Sequence, residues 1–580
     1  MAASIQACEN ILQAHQMNGT PFQFPFTSFA QLLHERTQDP HLSGQTFLSY
    51  YDDDHAQHRI YTYAEFGEAV RRTVTVLRDR LGIRRGDRIA TVLFNHDQTV
   101  LIYFAAWSVG AAVVPINLTE LPDKKRYILE HSEASVLFCW EDAYEEIQQV
   151  IDDLPHLRKV VKVGDTSAHG SFKEELHRAE PASLSLEGAL EDEALIVYTS
   201  GTTGPPKGVV LKAENLLIDA DAITSWHQFE RGDCVMCVLP IHHVNGIVVT
   251  LVTPFYFQGK VVLNKKFKTA TFWRRVQDEQ VACVSVVPTL LEFLLEAPED
   301  ISQYSLDRFR GVICGAGPLL KETASRFEDQ FHVPIRHGYG LSETTCYSCF
   351  LPIDLPDKEH RYWLTRYEYP SIGVPIRHNE MAILDDQGQP LPEMAKGEIC
   401  IRGQTVCSGY LKRPEVNEAA FQWGWFRSGD EGFFVRDDQG RPFFFISGRL
   451  KELIIRGGIN ISPLEIDEVL RGHPSIKFAM AVPFENRYYG EEIAAYVVLH
   501  NGEPPPPQSA IIDFCRRRLP FAKCPKIVLF GEDVPYTTTG KPKRLELKNR
   551  LADALNPYRD LCFKEEQPKR MGDDPGLLAS

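Results

Sequence analysis

An α/β protein of at least two domains is predicted by three features of the sequence: its length of 580 residues, an alternation of helix-like and strand-like segments from about 60 to 290, and two later changes of texture. A chain this long exceeds what one hydrophobic core organises. In the alternating region "YTYAEFGEAVRRTVTVLRDRL" reads as a helix, whereas "RIATVLF", "AAVVPI", "ASVLFCW", "VVLN" and "VACVSVVP" are short apolar runs. Alternation of this kind builds layered sheets with largely parallel strands. Between about 370 and 448 the chain turns β-rich: "MAILDDQGQPL", "GEICIRG" and "GWFRSGDEGFFVRDDQGRPFFFISGR" are strand-like runs broken by the turn signals "DDQGQP" and "DDQGRP". From 451 onwards "PLEIDEVLRGHPSI", "FAMAVPFEN", "AAYVVLHN", "SAIIDFCRRRL" and "KIVLFGEDVP" form a small α+β unit. The expected organisation is a large domain over 1–450 containing the β-rich portion, a small one over 451–560, and a charged, turn-rich flexible tail over 561–580.

Composition removes several classes of function. The formal net charge of -16 and the lack of a long Lys/Arg run argue against a nucleic-acid partner, because phosphate contacts need a basic face. The opening "MAASIQACENILQAHQ" has no basic start followed by an apolar core, so no secretory signal is expected. The longest apolar stretches, "YFAAWSVGAAVVPI" and "GIVVTLVTPFYF", are too short for a membrane span and contain proline. Thirteen scattered cysteines fit reduced thiols in a cytoplasmic setting. Two C-x-x-C pairs occur, Cys234/Cys237 and Cys346/Cys349, but the first lies in a strand-like run, where positions three apart point to opposite faces and do not converge on zinc.

The segment "YTSGTTGPPKGVV" carries the first chemical signal. Thr199, Ser200, Thr202 and Thr203 supply hydroxyls, Gly201 and Gly204 let backbone N–H groups turn inward, and Lys207 adds a cation. Such a loop can cradle phosphates, although a mobile polar surface loop has the same composition. It is not a Walker A loop, since Pro206 precedes the lysine and Gly208 follows it.

Eight further segments follow in order: "LPIHHVNG", "VVPTLL", "CGAGPL", "GYGLSETT", "GEICIRG", "WFRSGDEG", "GRLKELIIRGGINISPLEID" and "YTTTGKPKR". Together with the loop they resemble the adenylate-forming superfamily, which includes acyl-CoA synthetases, coumarate-CoA ligases, luciferases and peptide-synthetase adenylation domains. The resemblance runs from about 45 to 550. It implies layered α/β sheets with a distorted β-barrel portion, and a small C-terminal domain that is mobile and rotates between two half-reactions. It further implies ATP, Mg²⁺ and coenzyme A as cofactors and co-substrates. The loop would hold the β- and γ-phosphates, and Gly315, Ala316 and Gly317 would let backbone approach the adenine edge. In "GYGLSETT", which opens with Gly338 and Gly340 around Tyr339, the tyrosine offers a flat surface for adenine, Ser342 a hydroxyl for the α-phosphate, and Glu343 a hard oxygen ligand for magnesium. Ser342 stands where the family usually has threonine. Asp430 matches the acidic residue that accepts from both ribose hydroxyls, a task suited to an acceptor-only carboxylate. Arg449 corresponds to a nucleotide-contacting arginine, Lys451 to the hinge, and Gly457 and Gly458 to a close approach for the pantetheine arm. Lys541 takes the place of the lysine that bridges carboxylate, ribose and α-phosphate during adenylation.

The chemistry so implied converts a carboxylate, a poor acceptor for a thiol, into an acyl adenylate, from which the thiol then displaces AMP. Amino-acid-activating relatives carry an aspartate near "LPIHHVNGIVV", where a buried ammonium needs one. Here that segment supplies His243, Val244 and Asn245 and no acid, so the substrate is expected to lack an α-amino group. His243 matches a position whose ring flanks the acyl pocket, which would also include Gly340 and Tyr347. Tyr347 can fill part of that space or give a polar contact. A small or medium organic or aryl acid is favoured, with fatty acids still open. The expected acceptor is CoA; the alternative is the phosphopantetheine arm of a carrier protein, charged in trans. A regulatory nucleotide binder that has lost turnover is a further reading, and the joint presence of Glu343, Asp430 and Lys541 argues against it.

Overall fold

The computed structural model describes residues 2–17, 21–165, 170–184, 188–199, 205–297, 299–500, 504–537 and 542–563. The expected flexible tail over 561–580 falls almost entirely outside these residues. The chain divides into two compact units, one running to Ile446 and the other beginning at Ser447.

Two sheets organise the first unit. The smaller has six strands in the order Lys159–Val163, Val136–Trp140, Arg88–Leu93, Ala112–Asn117, Glu193–Thr199 and Lys207–Lys212. The first five pair in parallel and the last returns antiparallel. Their apolar runs are continuous because both faces are covered: every residue from Val136 to Trp140 is buried. The helix Tyr63–Thr75 starts where it does because Thr62 and Glu65 form a capping box, each side chain serving the other's backbone N–H. Its continuation as a π-helical turn over Val76–Arg80 completes the segment read as helical from sequence.

The larger sheet has thirteen strands. Six central strands, from Thr46–Asp52 through Lys260–Asn264, Cys234–Cys237, Val281–Val286 and Val312–Cys314 to Ile335–Tyr339, are mutually parallel. Beyond Tyr339 the sheet changes character. The short strand Cys349–Phe350 pairs antiparallel with Ile335–Tyr339, Ser371–Pro375 follows, and the β-rich region Asn379–Arg449 extends the same sheet outwards. These strands pair antiparallel with one another and continue the large sheet, and the order ends at Asn379–Leu384, so the barrel portion expected from the resemblance is an open run of strands and not a closed barrel.

The second unit has a five-stranded sheet built on the long antiparallel pair Ile476–Asn486 and Gly490–Leu499. Helix Pro463–Arg471 packs on it, with Ile466 and Leu470 fully buried. A buried ion pair, Arg544 to Asp467 at 2.6 Å, ties its last helix to that one. Among the described residues no helix is long and apolar enough to cross a membrane.

Candidate active site

Where the parallel part of the large sheet ends, the chain places the motifs of greatest chemical interest. Tyr339 is the last residue of its strand, and its hydroxyl donates to Asp430 Oδ2 at 2.6 Å across a sequence gap of 91 residues. Asp430 is 3% exposed, and its own N–H donates to Ser428 Oγ at 3.0 Å. The hydroxyl at 428 thus fixes the backbone that presents the carboxylate.

Glu343 sits in the short 3-10 turn Ser342–Thr344. Its Oε1 accepts from the Tyr410 hydroxyl at 2.8 Å, and its backbone oxygen accepts from the N–H of Cys407, also at 2.8 Å. The Tyr410 segment runs beside strand Lys207–Lys212, with Val210 N–H bonding Gly409 and Leu411 N–H bonding Gly208. Lys207 Nζ consequently lies 5.1 Å from the centre of the Tyr410 ring. Tyr410 belongs to no motif legible in the sequence; its only signal is an aromatic residue in "VCSGY", shortly after the strand-like run "GEICIRG".

Close backbone approach explains the glycines of these motifs. A Cβ on Gly340 would stand 1.9 Å from the Cys346 carbonyl oxygen, and one on Gly315 would stand 2.6 Å from the Tyr347 hydroxyl. Tyr347 therefore joins "CGAGPL" to "GYGLSETT". Its side chain is 1% exposed, and its hydroxyl accepts from Asn245 Nδ2 at 3.2 Å. Asn245 Oδ1 in turn receives the Ser285 hydroxyl at 2.6 Å, so "HHVNG" and the Val281–Val286 strand meet on the same ring. Burial pushes the Tyr347 phenol up, which keeps it neutral. Its N–H donates to Asp219 Oδ2 at 3.2 Å. Asp219 is wholly buried, and burial raises its pKa well above 3.8. Neither Ser285 nor Asp219 carried a sequence signal.

The His242–Asn245 segment is held from below by Asn95. That amide donates to the carbonyls of Leu239 at 3.0 Å and Asn264 at 2.9 Å, and accepts from the N–H of Ile241 at 2.8 Å. The His242 and His243 rings lie 4.4 Å apart, and burial lowers the His242 pKa to about 4. Val244 is buried, and a π-helical segment follows over Asn245–Val252.

Residues 200–204 of the phosphate-cradle motif, among them Ser200, Gly201, Thr202, Thr203 and Gly204, lie outside the described residues, as does Lys541. Thr199 and Lys207 flank the gap as register partners on neighbouring strands. In the second unit Arg449 ends its strand and accepts, through its carbonyl, the N–H groups of Glu452 and Leu453, which places Lys451 in a tight turn. Gly457 and Gly458 form the two-residue connection between strands Ile454–Arg456 and Ile459–Ile461. Both have positive φ, 58° and 82°, as the tightest hairpin turns require. A Cβ on Gly458 would meet nothing within 4 Å, so within the chain it is the turn, not crowding, that demands glycine.

The donor set fits a magnesium nucleotide. Mg²⁺ is held by one or two carboxylates with phosphate oxygens and water, not by an all-protein cage. Glu343, whose Oε1 accepts from Tyr410, is a carboxylate that would serve in this way.

Comparison with known proteins agrees with this geometry. Residues 38–411 match the AMP-binding enzyme family and residues 465–541 its C-terminal domain. The chain is 34% identical over 473 residues to a sulfoacetate–CoA ligase of Cupriavidus necator, covering 81% of this chain and 88% of the relative. It is 30% identical to an oxalate–CoA ligase of Arabidopsis thaliana, covering 83% and 92%. The solved structure of an o-succinylbenzoate CoA synthetase from Bacillus subtilis with its acyl-adenylate intermediate superposes with a TM-score of 0.77 at 26% identity, over 89% of this chain and 97% of that one. The chain belongs to the AMP-binding enzyme family, and within it to the acid–CoA ligases.

Proposed function

We propose that this chain joins a small carboxylic acid without an α-amino group to coenzyme A. Acid and ATP first give acyl-AMP and pyrophosphate; the thiol of CoA then attacks the acyl carbon and AMP leaves. The observation that carries the reading is the pair of carboxylates at the end of the large sheet, each fixed by a tyrosine: Asp430 by Tyr339 and Glu343 by Tyr410. In this reading Asp430 accepts from the ribose hydroxyls, the Tyr339 ring faces adenine, and Ser342 donates to the α-phosphate. Mg²⁺ bound through Glu343 supplies the positive charge that lets two anions meet. Lys207 and the 199–204 loop hold the departing phosphates, and Lys541 stabilises charge building on the α-phosphate. Arg449 contacts the nucleotide, Lys451 serves as hinge for a mobile domain 451–560, and the Gly457–Gly458 turn admits the pantetheine arm. The cysteines, all unpaired, suit a reducing cytoplasm.

Two features support a small acid without an amino group. Tyr347 occupies the space between "HHVNG" and "CGAGPL" with a complete ring, which shortens any pocket there. The segment that carries an aspartate in amino-acid-activating relatives reads His243, Val244 and Asn245 here, with no acid to pair with an ammonium. The relatives named for sulfoacetate and oxalate act on small acids of that kind. Pyrophosphate release on a panel of acids with ATP and Mg²⁺ tests the reading, and CoA compared with a carrier protein identifies the acceptor. Activity confined to amino acids would overturn it. Tyr347→Ala is expected to raise the kcat/KM ratio of long over short acids by about tenfold, the worth of two further buried methylenes. An unaltered chain-length profile would place Tyr347 outside the pocket wall.

A further inference from the structure

Helix Ala2–Ala14 precedes the residues matched by the AMP-binding family, and neither nucleotide nor acid binding accounts for its packing. Ala7 and Ala14 are buried and Ile11 packs against the main core, while the helix lies on helix Pro414–Ala420 and the turn Gln422–Gly424. Just past its end, His15 Nε2 lies 2.9 Å from the Cys407 carbonyl oxygen. A carbonyl oxygen only accepts, so Nε2 carries a proton towards it, and burial lowers the His15 pKa below 6.5 against the raising effect of that bond. The N–H of the same residue, Cys407, donates to Glu343 O. A second line of contact is apolar. A Cβ on Gly409 would stand 3.1 Å from Ile11 Cδ1 and 3.0 Å from Asn417 Oδ1, so these two side chains close over that residue. Asn417 accepts from the Tyr410 N–H at 2.7 Å and donates to the Tyr410 carbonyl at 3.1 Å, and the Tyr410 hydroxyl holds Glu343.

We propose that this N-terminal helix is a strap that holds the Cys407–Tyr410 segment, and through it Glu343, in working position, with His15 and Ile11 as its positioning residues. Both lines of contact end on the same residue, one on the peptide carbonyl of Glu343 and one on its carboxylate. The effect on rate rests on the reading of Glu343 as the magnesium-binding carboxylate; the effect on the segment does not. A small ion with strict octahedral demands is sensitive to loosening of the groups behind its ligand, as other outer-shell partners are.

The test uses the full chain with His15→Leu, His15→Gln and Ile11→Ala, and Glu343→Gln as reference. Four quantities are measured: amide hydrogen exchange over 405–411, the Mg²⁺ concentration for half-maximal pyrophosphate release, KM for the acid, and Tm. His15→Leu is expected to speed exchange in that segment about tenfold, the worth of one lost hydrogen bond. The Mg²⁺ midpoint should rise about threefold to tenfold, at or below the effect of a direct outer-shell partner. KM for the acid should hold, and His15→Gln, which keeps a donor, should recover most of both losses. If His15→Leu does not fold, Ile11→Ala carries the same readouts. Unchanged exchange and Mg²⁺ midpoint beside a lowered Tm would make the helix a structural cover and end the proposal. Faster exchange in His15→Leu with normal Mg²⁺ dependence in Glu343→Gln would keep the strap and withdraw the reading of Glu343. Altered Mg²⁺ dependence in Glu343→Gln with unaltered exchange in His15→Leu would do the reverse.

Discussion

Lys541→Ala is expected to slow acyl-adenylate formation by about 10²- to 10³-fold, the scale on which one preorganised donor to developing charge acts. The acid and the α-phosphate are both anionic, and a lysine held between them is needed most at the moment charge accumulates on the phosphorus-bound oxygens. Thioester formation should largely survive. Supplied with presynthesised acyl adenylate and CoA, the variant should release AMP at nearly the unmodified rate, since in the proposed cycle the small domain has by then carried residue 541 away. Equal losses in both half-reactions would falsify the domain-rotation account for this chain and leave Lys541 as a residue that supports the fold or both conformations.

Asp430→Ala is expected to weaken ATP binding by about 2–4 kcal/mol, because donors enclosed in the site lose a charged acceptor. That corresponds to a Kd raised about 30- to 1000-fold. The structure adds a second cost. The Tyr339 hydroxyl, bonded to Asp430 Oδ2 at 2.6 Å, loses its partner in a buried place, so stability should fall by about 1–3 kcal/mol as well. Tyr339→Phe separates the two: it removes the hydroxyl, keeps the ring, and should cost ATP affinity less than Asp430→Ala. Calorimetry on the three proteins decides. An ATP affinity untouched by Asp430→Ala would take residue 430 out of the nucleotide site.

The strands were legible where apolar runs are bounded by turn residues. "RIATVLF" becomes Arg88–Leu93 and "GEICIRG" becomes Gly397–Gly403, because a strand covered on both faces leaves no polar alternation to misread. That the β-rich region stays open was not legible. Strand order depends on which edge is open when a run arrives, and the two-residue strand Cys349–Phe350, too short to stand out, is the piece that attaches the later strands to the large sheet. At the site, glycine-rich and hydroxyl-rich motifs announced themselves by composition, whereas Tyr410, Asp219 and Ser285 did not. Each acts by meeting a residue remote in sequence, Glu343, Tyr347 and Asn245 respectively, and a lone tyrosine, aspartate or serine in an apolar neighbourhood has no local pattern to betray it. His15 is legible only once Cys407 is seen 392 residues away.

Asn95 has a bearing on the chemical lifetime of the protein. It follows the Arg88–Leu93 strand of the small sheet, yet its amide nitrogen holds the carbonyl of Asn264, the last residue of a large-sheet strand, and that of Leu239, just past the end of another. Deamidation would exchange that nitrogen for a carboxylate oxygen and set an acceptor against two acceptors, so one hydrolytic event would unpick the seam between the sheets. Attack on the amide requires water and backbone freedom, and a residue 4% exposed with all three polar contacts made has little of either. Peptide mass measurement after prolonged warm storage is therefore expected to find residue 95 still an asparagine for as long as the protein remains active, and ageing at this position to follow unfolding rather than to cause it.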